Sequence, residues 1–201
     1  TQRRLLSVFG LPERIFAAPG SAVASAVGDK AARLLAAFDD DEAVVRALEW
    51  AGQPGNHLVT LADAAYPKAL LETSDPPTLL YVKGRAELLN ARALAIVGAR
   101  NATAQGELNA AQFARELSRG GLTIVSGLAL GCDAAAHAGA LDGPGSTIAV
   151  IGTGADRIYP PRNGELARRI AEHGAIVSEF PLGTPALREN CWSRMRCCCP
   201  P

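Results

Sequence analysis

Apolar residues recur at three- and four-residue spacing from the first positions to Gly52, and the pattern then changes character twice. "RRLLSVFG", "LPERIFAA", "SAVASAVGDKAARLLAAF" and "DDEAVVRALEWAG" each lay an apolar stripe along one side of a helix. Ser21 is placed to cap one of these helices, and Gly10 and Gly52 to stop two others. Residues 1–52 are therefore expected to form a small all-α domain. Between Gln53 and Arg92 the runs "HLVTL" and "TLLYVKG" are strand-like. The intervening "ADAAYPKALLETSDPP" carries the prolines and aspartates of turns, so these two strands should prepare or extend the sheet that follows.

From Leu94 the alternation is regular. "LAIVGA" (94–99), "LTIVSG" (122–127), "TIAVIG" (147–152) and "AIVSEF" (175–180) begin 28, 25 and 28 residues apart, which leaves room for one helix between each pair. "GELNAAQFARELSRGG", "GCDAAAHAGALDG" and "RNGELARRIAEHG" are those helices, each ending in glycine. Apolar runs without polar alternation belong to strands covered on both faces. The pattern predicts a doubly wound, Rossmann-like parallel sheet in an α/β domain over residues 53–190.

Composition narrows the function. The chain has 201 residues, 48% hydrophobic and 20% charged, with equal numbers of basic and acidic side chains and no formal net charge. A generally basic coat for nucleic acid is thereby disfavoured, and any phosphate grip must be local. No secretory signal is legible at the N-terminus, and no apolar stretch is long enough for a membrane span. A single cysteine before position 191 suits a reducing cytoplasm.

In such sheets ligands sit beyond the carboxyl ends of the strands, where glycine turns lead into helix N-termini that favour anions. Those ends read "VGARN" (97–101), "VSGLALG" (125–131), "IGTGADRIYPPRN" (151–163) and "SEFPLGTP" (178–185), with Arg100, Arg157 and Arg162 as cations. No G-x-G-x-x-G follows the first run, and Ser126-Gly127 stands where a ribose-binding acid would close the second, so a dinucleotide cofactor is not expected. Cys132 and His137 could suggest a thiol–base pair, but the Ala-rich "DAAAHAGAL" favours a His137 packed against a neighbouring element. Asp133 suits a helix start that binds free amides, and Asn163 either an N-cap or a phosphate contact. Arg168 and Arg169 suit a solvated helix face. Tyr159 and Phe180 are the aromatics near the cations, available for base stacking or for ordinary burial. The edge looks made to hold anions, with no catalytic residues, metal or cofactor expected.

Taken in order and spacing, "LAIVGAR", "IVSGLALGCDAAAHAGAL", "TIAVIGTGADRIYPPRN" and "IVSEFPLGTP" resemble the DNA-processing protein A (DprA/Smf) family. The upstream "TLADAAYPKALLETSDPPTLLYVKG" is similar to the segment leading into that family's Rossmann-like domain, and the helical start to its SAM-like domain. The resemblance implies a bacterial cytoplasmic protein, not an enzyme and not membrane-bound. It implies binding of single-stranded DNA without strong sequence preference, protection of incoming DNA in natural transformation, and help in loading the RecA recombinase. The family's Gly-Ser-Arg motif falls on Gly98-Ala99-Arg100, with Ala in place of Ser. Ser126, Gly127, Arg157, Arg162 and Asn163 complete the implied nucleic-acid-binding set. The rival reading is a nucleoside monophosphate phosphoribohydrolase of the LOG type, which shares the fold; an inert truncated remnant is the third.

The chain ends in "CWSRMRCCCPP" (191–201). Cys191 followed by Cys197, Cys198 and Cys199 lacks metal-ligand spacing. A family member would continue after Asn190 with Phe-Pro-x-Arg-Asn-Arg, so these residues are read as a non-native tail after a lost reading frame or deletion, leaving the sheet incomplete at its C-terminal end. The family's homodimer interface depends on the portion beyond, and the isolated chain is expected to bind single-stranded DNA weakly or to fold poorly.

Overall fold

A computed structural model describes residues 2–39, 41–187 and Asn190. Residues 191–201, and with them the expectation of a non-native tail, lie outside the described residues. The chain divides into two compact units, Thr1–Val45 and Arg46–Pro201.

In the first unit α1 (Gln2–Phe9), α2 (Pro12–Ala17), α3 (Gly20–Val27) and α4 (Asp29–Ala36) enclose Leu5, Ile15 and Val23. Leu6, Phe9, Val27 and Leu35 pack around these three, at the three- and four-residue spacing of the sequence. Gly10 stops α1, its N–H donating to the Leu6 carbonyl at 2.8 Å. Ser21 does not cap: α3 is entered from Pro19, whose extended backbone starts the helix one residue before the serine. Ser21 lies inside the first turn, where its carbonyl accepts from Ser25 Oγ.

In the second unit the end of α5 (Asp41–Ala51) supplies Trp50, which packs edge-on against Tyr81 with ring centroids 5.7 Å apart. The strands are β1 (Asn56–Thr60), β2 (Leu79–Gly84), β3 (Ala93–Ala95), β4 (Thr123–Ser126), β5 (Thr147–Val150) and β6 (Ala175–Ser178). They form one sheet in the order β1-β2-β6-β5-β4-β3. β3 to β6 run parallel, whereas β1 and β2 are antiparallel additions beside β6. The sheet is thus mixed, extended by the two upstream strands.

The α/β architecture is the expected one, with a difference in its winding. The parallel strands lie along the sheet in chain order, so right-handed crossovers deliver every helix to the same face. α7 (Ala104–Arg119), α8 (Cys132–Ala140) and α9 (Gly164–His173) accordingly bury Ala114, Ala136, Ala140, Ala167 and Ile170 against Ile124, Ala149 and Ile176. The opposite face, formed by Val125, Ile148, Val150 and Val177, is covered by Tyr66, Leu88 and Leu70 of α6 (Lys68–Leu71). The reversal of strand order that a doubly wound sheet requires does not occur among the described residues. Alternate residues of one strand serve the two cores: Ile124 one, Val125 the other. β4, β5 and β6 are buried throughout, which explains their unbroken apolar runs.

β3 is shorter than the run 94–99 that predicted it. It pairs only with β4, Leu94 is exposed, and beyond Ile96 the chain leaves the ladder to meet α8. Its far side is a free parallel edge among the described residues.

Candidate functional site

Parallel strands bring the carboxyl ends of β3, β4, β5 and β6 to one edge of the sheet. The four loops leaving them are joined to one another in sequence. After β3, the Ile96 carbonyl accepts from Ser126 Oγ at 2.6 Å, and the Ala99 carbonyl accepts from the Cys132 N–H at 3.2 Å. A methyl group on Gly98 would stand 2.6 Å from the Cys132 Cβ and Sγ. On Gly131 (φ 74°) it would stand 2.4 Å from the Ala99 carbonyl oxygen. The first two loops are sealed, backbone against backbone at Gly131 and backbone against the Cys132 side chain at Gly98, an approach that glycine permits.

The second loop, Gly127–Gly131, is held from behind. Leu128 has a φ of 57° and a fully buried side chain. Its N–H donates to His137 Nε2 at 3.3 Å, and its carbonyl accepts from Asn163 Nδ2 at 2.9 Å. The Ala129 N–H donates to Asp133 Oδ2 at 3.3 Å, and the Ala129 carbonyl also accepts from Asn163 Nδ2 at 3.2 Å. Because Nε2 accepts, the imidazole proton sits on Nδ1, which donates to Thr147 Oγ1 at 2.7 Å; that hydroxyl donates to the Ile124 carbonyl at 2.6 Å. Complete burial pushes His137 down to a pKa of about 3, so the ring is neutral.

The third and fourth loops are latched in the same manner. Ser178 Oγ donates to the Thr153 carbonyl at 2.6 Å, and the Gly154 N–H donates to the Thr184 carbonyl at 3.0 Å. The Asp156 carboxylate accepts from the Gly183 N–H at 2.9 Å. Asn190 Nδ2 donates to the Gly152 carbonyl at 2.9 Å. The result is a continuous band of backbone along the carboxyl edge.

The sequence-derived residues fall into two layers of this band. Gly98, Ala99 and Arg100 on the first loop, and Arg157 and Arg162 on the third, are exposed. Ser126, Gly127 and Asn163 are buried behind them. Asn163 occupies the N-cap position of α9 but makes no capping bond; its amide reaches back to the second loop. Asp133 does bind a free amide, that of Ala129. His137 packs inside as expected, and with both nitrogens engaged it is no base for Cys132, whose thiol lies against Gly98. Tyr159 is exposed and Phe180 half-buried. Arg168 and Arg169 lie on an exposed helix face, Arg168 paired with Glu165. The ion pairs Arg115–Asp142 and Arg119–Glu116 sit on the far half of α7, away from the band. Sequence reasoning missed the His137–Leu128 and Asp156–Gly183 bonds, since neither acceptor belongs to a local capping pattern.

An α/β sheet with glycine turns and arginines along its carboxyl edge defines a Rossmann-like protein suited to a phosphate-bearing ligand. Residues 57–199 match the family of DNA recombination-mediator protein A, and the chain belongs to that family. Protein Smf of Escherichia coli (strain K12) is 41% identical over 150 residues, 74% of this chain and 40% of that protein. DNA processing protein DprA of Bacillus subtilis (strain 168) is 39% identical over 133 residues, 66% of this chain and 45% of that protein. The chain thus spans less than half the length of these relatives. The X-ray structure of DprA from Streptococcus pneumoniae matches with a TM-score of 0.80 at 31% identity, covering 98% of this chain and 68% of that one. DNA processing protein A from Helicobacter pylori, the subject of a structure on its single-stranded DNA binding mode, matches with a TM-score of 0.64 at 34% identity. That match covers 70% of this chain and 64% of the other.

Proposed function

We propose that the chain binds single-stranded DNA along the carboxyl edge of its sheet, as part of a recombination mediator acting in the bacterial cytoplasm. Arg100, Arg157 and Arg162 supply the cations, and the Gly98-Ala99-Arg100 turn lets the strand approach the backbone. Exposed Tyr159 offers a face on which a base can stack, which would make binding tolerant of sequence. The carrying observation is that the loops bearing these three exposed arginines are hydrogen-bonded into one band. Family membership and the Helicobacter pylori protein's single-stranded DNA binding mode support the same ligand.

The site holds its ligand without turnover. The imidazole of His137 and the carboxylates of Asp133 and Asp156 are committed to backbone or hydroxyl partners, which leaves them unsuited to move protons on a substrate. Protected strand is then handed to a recombinase of the RecA class. In a mobility-shift experiment a long oligothymidine should be retarded in preference to duplex, and Arg100→Ala should weaken retention of all sequences alike. Equal retention of Arg100→Ala removes Arg100 from the interface. Release of base from a nucleoside monophosphate would instead support the phosphoribohydrolase.

A further inference from the structure

Leu128 holds a left-handed backbone, which non-glycine residues keep only where their surroundings impose it. Three attachments impose it here. His137 accepts from its N–H, Asn163 donates to its carbonyl, and its side chain is sealed among Ala149, Ile151 and Ile170. The loop so fixed lies between the two cation-bearing loops. On one side Gly131 and Cys132 are sealed to Ala99 and Arg100. On the other, Asn163 follows Arg162 directly in the chain, so the bonds that hold the second loop also hold the root of that arginine.

We propose that His137 and Asn163 are positioning residues of the single-stranded DNA interface, locking the Gly127–Gly131 loop as a rigid spacer between Arg100 and Arg162. The inference rests on the single-stranded DNA reading above. Neither residue meets the ligand: His137 is 0% and Asn163 7% exposed. Their effect passes through the Leu128 and Ala129 peptides. A single strand is flexible, so engaging two phosphates at once depends on the protein presenting two cations at a fixed separation. Loosening the spacer leaves each arginine present but uncouples them, and one contact is lost from the simultaneous set.

The salt dependence of binding separates this role from mere stability. Fewer folded molecules lower the active concentration, whereas a lost phosphate contact changes the slope of log K against log salt, by about 0.7 on a single strand. Anisotropy of a labelled oligothymidine is measured with the full chain between about 50 and 200 mM salt. His137→Leu fills the volume without hydrogen bonds, and Asn163→Ala removes the second tether. Each should bind about tenfold more weakly, as for a lost charged contact, with a slope shallower by about 0.7. His137→Gln carries both an acceptor and a donor and should keep the parental slope. In an Arg162→Ala background, His137→Leu should reduce the slope no further.

Parental affinity and slope in His137→Leu overturn the proposal; should the leucine variant not fold, parental values in Asn163→Ala overturn it equally. A His137→Gln protein as impaired as His137→Leu overturns the assignment to the hydrogen bonds. If Arg100→Ala weakens binding while both loop variants bind as the parent does, the spacer alone falls. If the parent chain binds no oligothymidine, the function falls first and the spacer with it.

Discussion

Replacing Gly131 by alanine adds one methyl group at the seal between the first two strand-end loops. The backbone there has φ 74° and ψ −126°, a region that L side chains avoid at a cost of about 1–3 kcal/mol. The new Cβ would also lie 2.4 Å from the Ala99 carbonyl oxygen and 2.6 Å from that of Arg100. Both are backbone atoms, so relief requires shifting the first loop, at about 1–3 kcal/mol for an overpacked site. Lower entropy of the unfolded chain returns about 0.4–1 kcal/mol. The net loss is about 1–6 kcal/mol, a large share of the roughly 5–15 kcal/mol of a typical domain. Gly121→Ala separates the two causes, because Gly121 has φ 84° with nothing within 4 Å of a built Cβ. It should show the cost of a side chain at positive φ without the collision. Urea unfolding followed by circular dichroism reads both variants, with unchanged slope as the check on comparability. If Gly131→Ala loses no more stability than Gly121→Ala, the two loops are not sealed and the continuous band is broken at its first joint.

Three further outcomes follow from the same contacts. His137, at about 3 in the folded chain against an ordinary value of 6.5, takes up its proton only after unfolding across that interval. Its share of stability is complete above pH 6.5 and falls with decreasing pH by about 1.4 kcal/mol per unit towards pH 3, a slope that His137→Gln should abolish in unfolding measured at several pH values. Trp50→Ala removes the edge-on partner of Tyr81 and should cost the second unit about 3–5 kcal/mol by urea unfolding. Ser126→Ala leaves the half-buried Ile96 carbonyl, just beyond β3, without the hydroxyl that donates to it and should cost about 1–3 kcal/mol in the same assay.

What the sequence made legible was periodicity. The runs at 122–127, 147–152 and 175–180 announced buried strands because β4, β5 and β6 meet apolar layers on both faces. The glycines after α7 and α9 marked their ends for the same local reason. Winding was not legible: nothing local distinguishes strands laid down in chain order from a sheet that reverses, and only the pairing of β3 with β4 and of β2 with β6 decides it. The exposed arginine layer could be placed from strand ends alone. The layer behind it could not, because Asn163 reaches carbonyls 34 and 35 residues earlier. Leu128, moreover, holds a backbone conformation for which its own side chain gives no signal. Ser21 was misplaced as a cap because Pro19 sets the entry to α3 through backbone geometry.

The proposed function requires the arginines on the first and third loops to grip one nucleic-acid backbone together. The most direct test is titration of a labelled oligothymidine with the parent chain and with Arg100→Ala/Arg157→Ala/Arg162→Ala over a range of salt concentrations. Binding by the parent should depend steeply on salt, and the triple variant should show a slope shallower by about 2, about 0.7 per contact removed. A triple variant with the parental slope would contradict the shared grip.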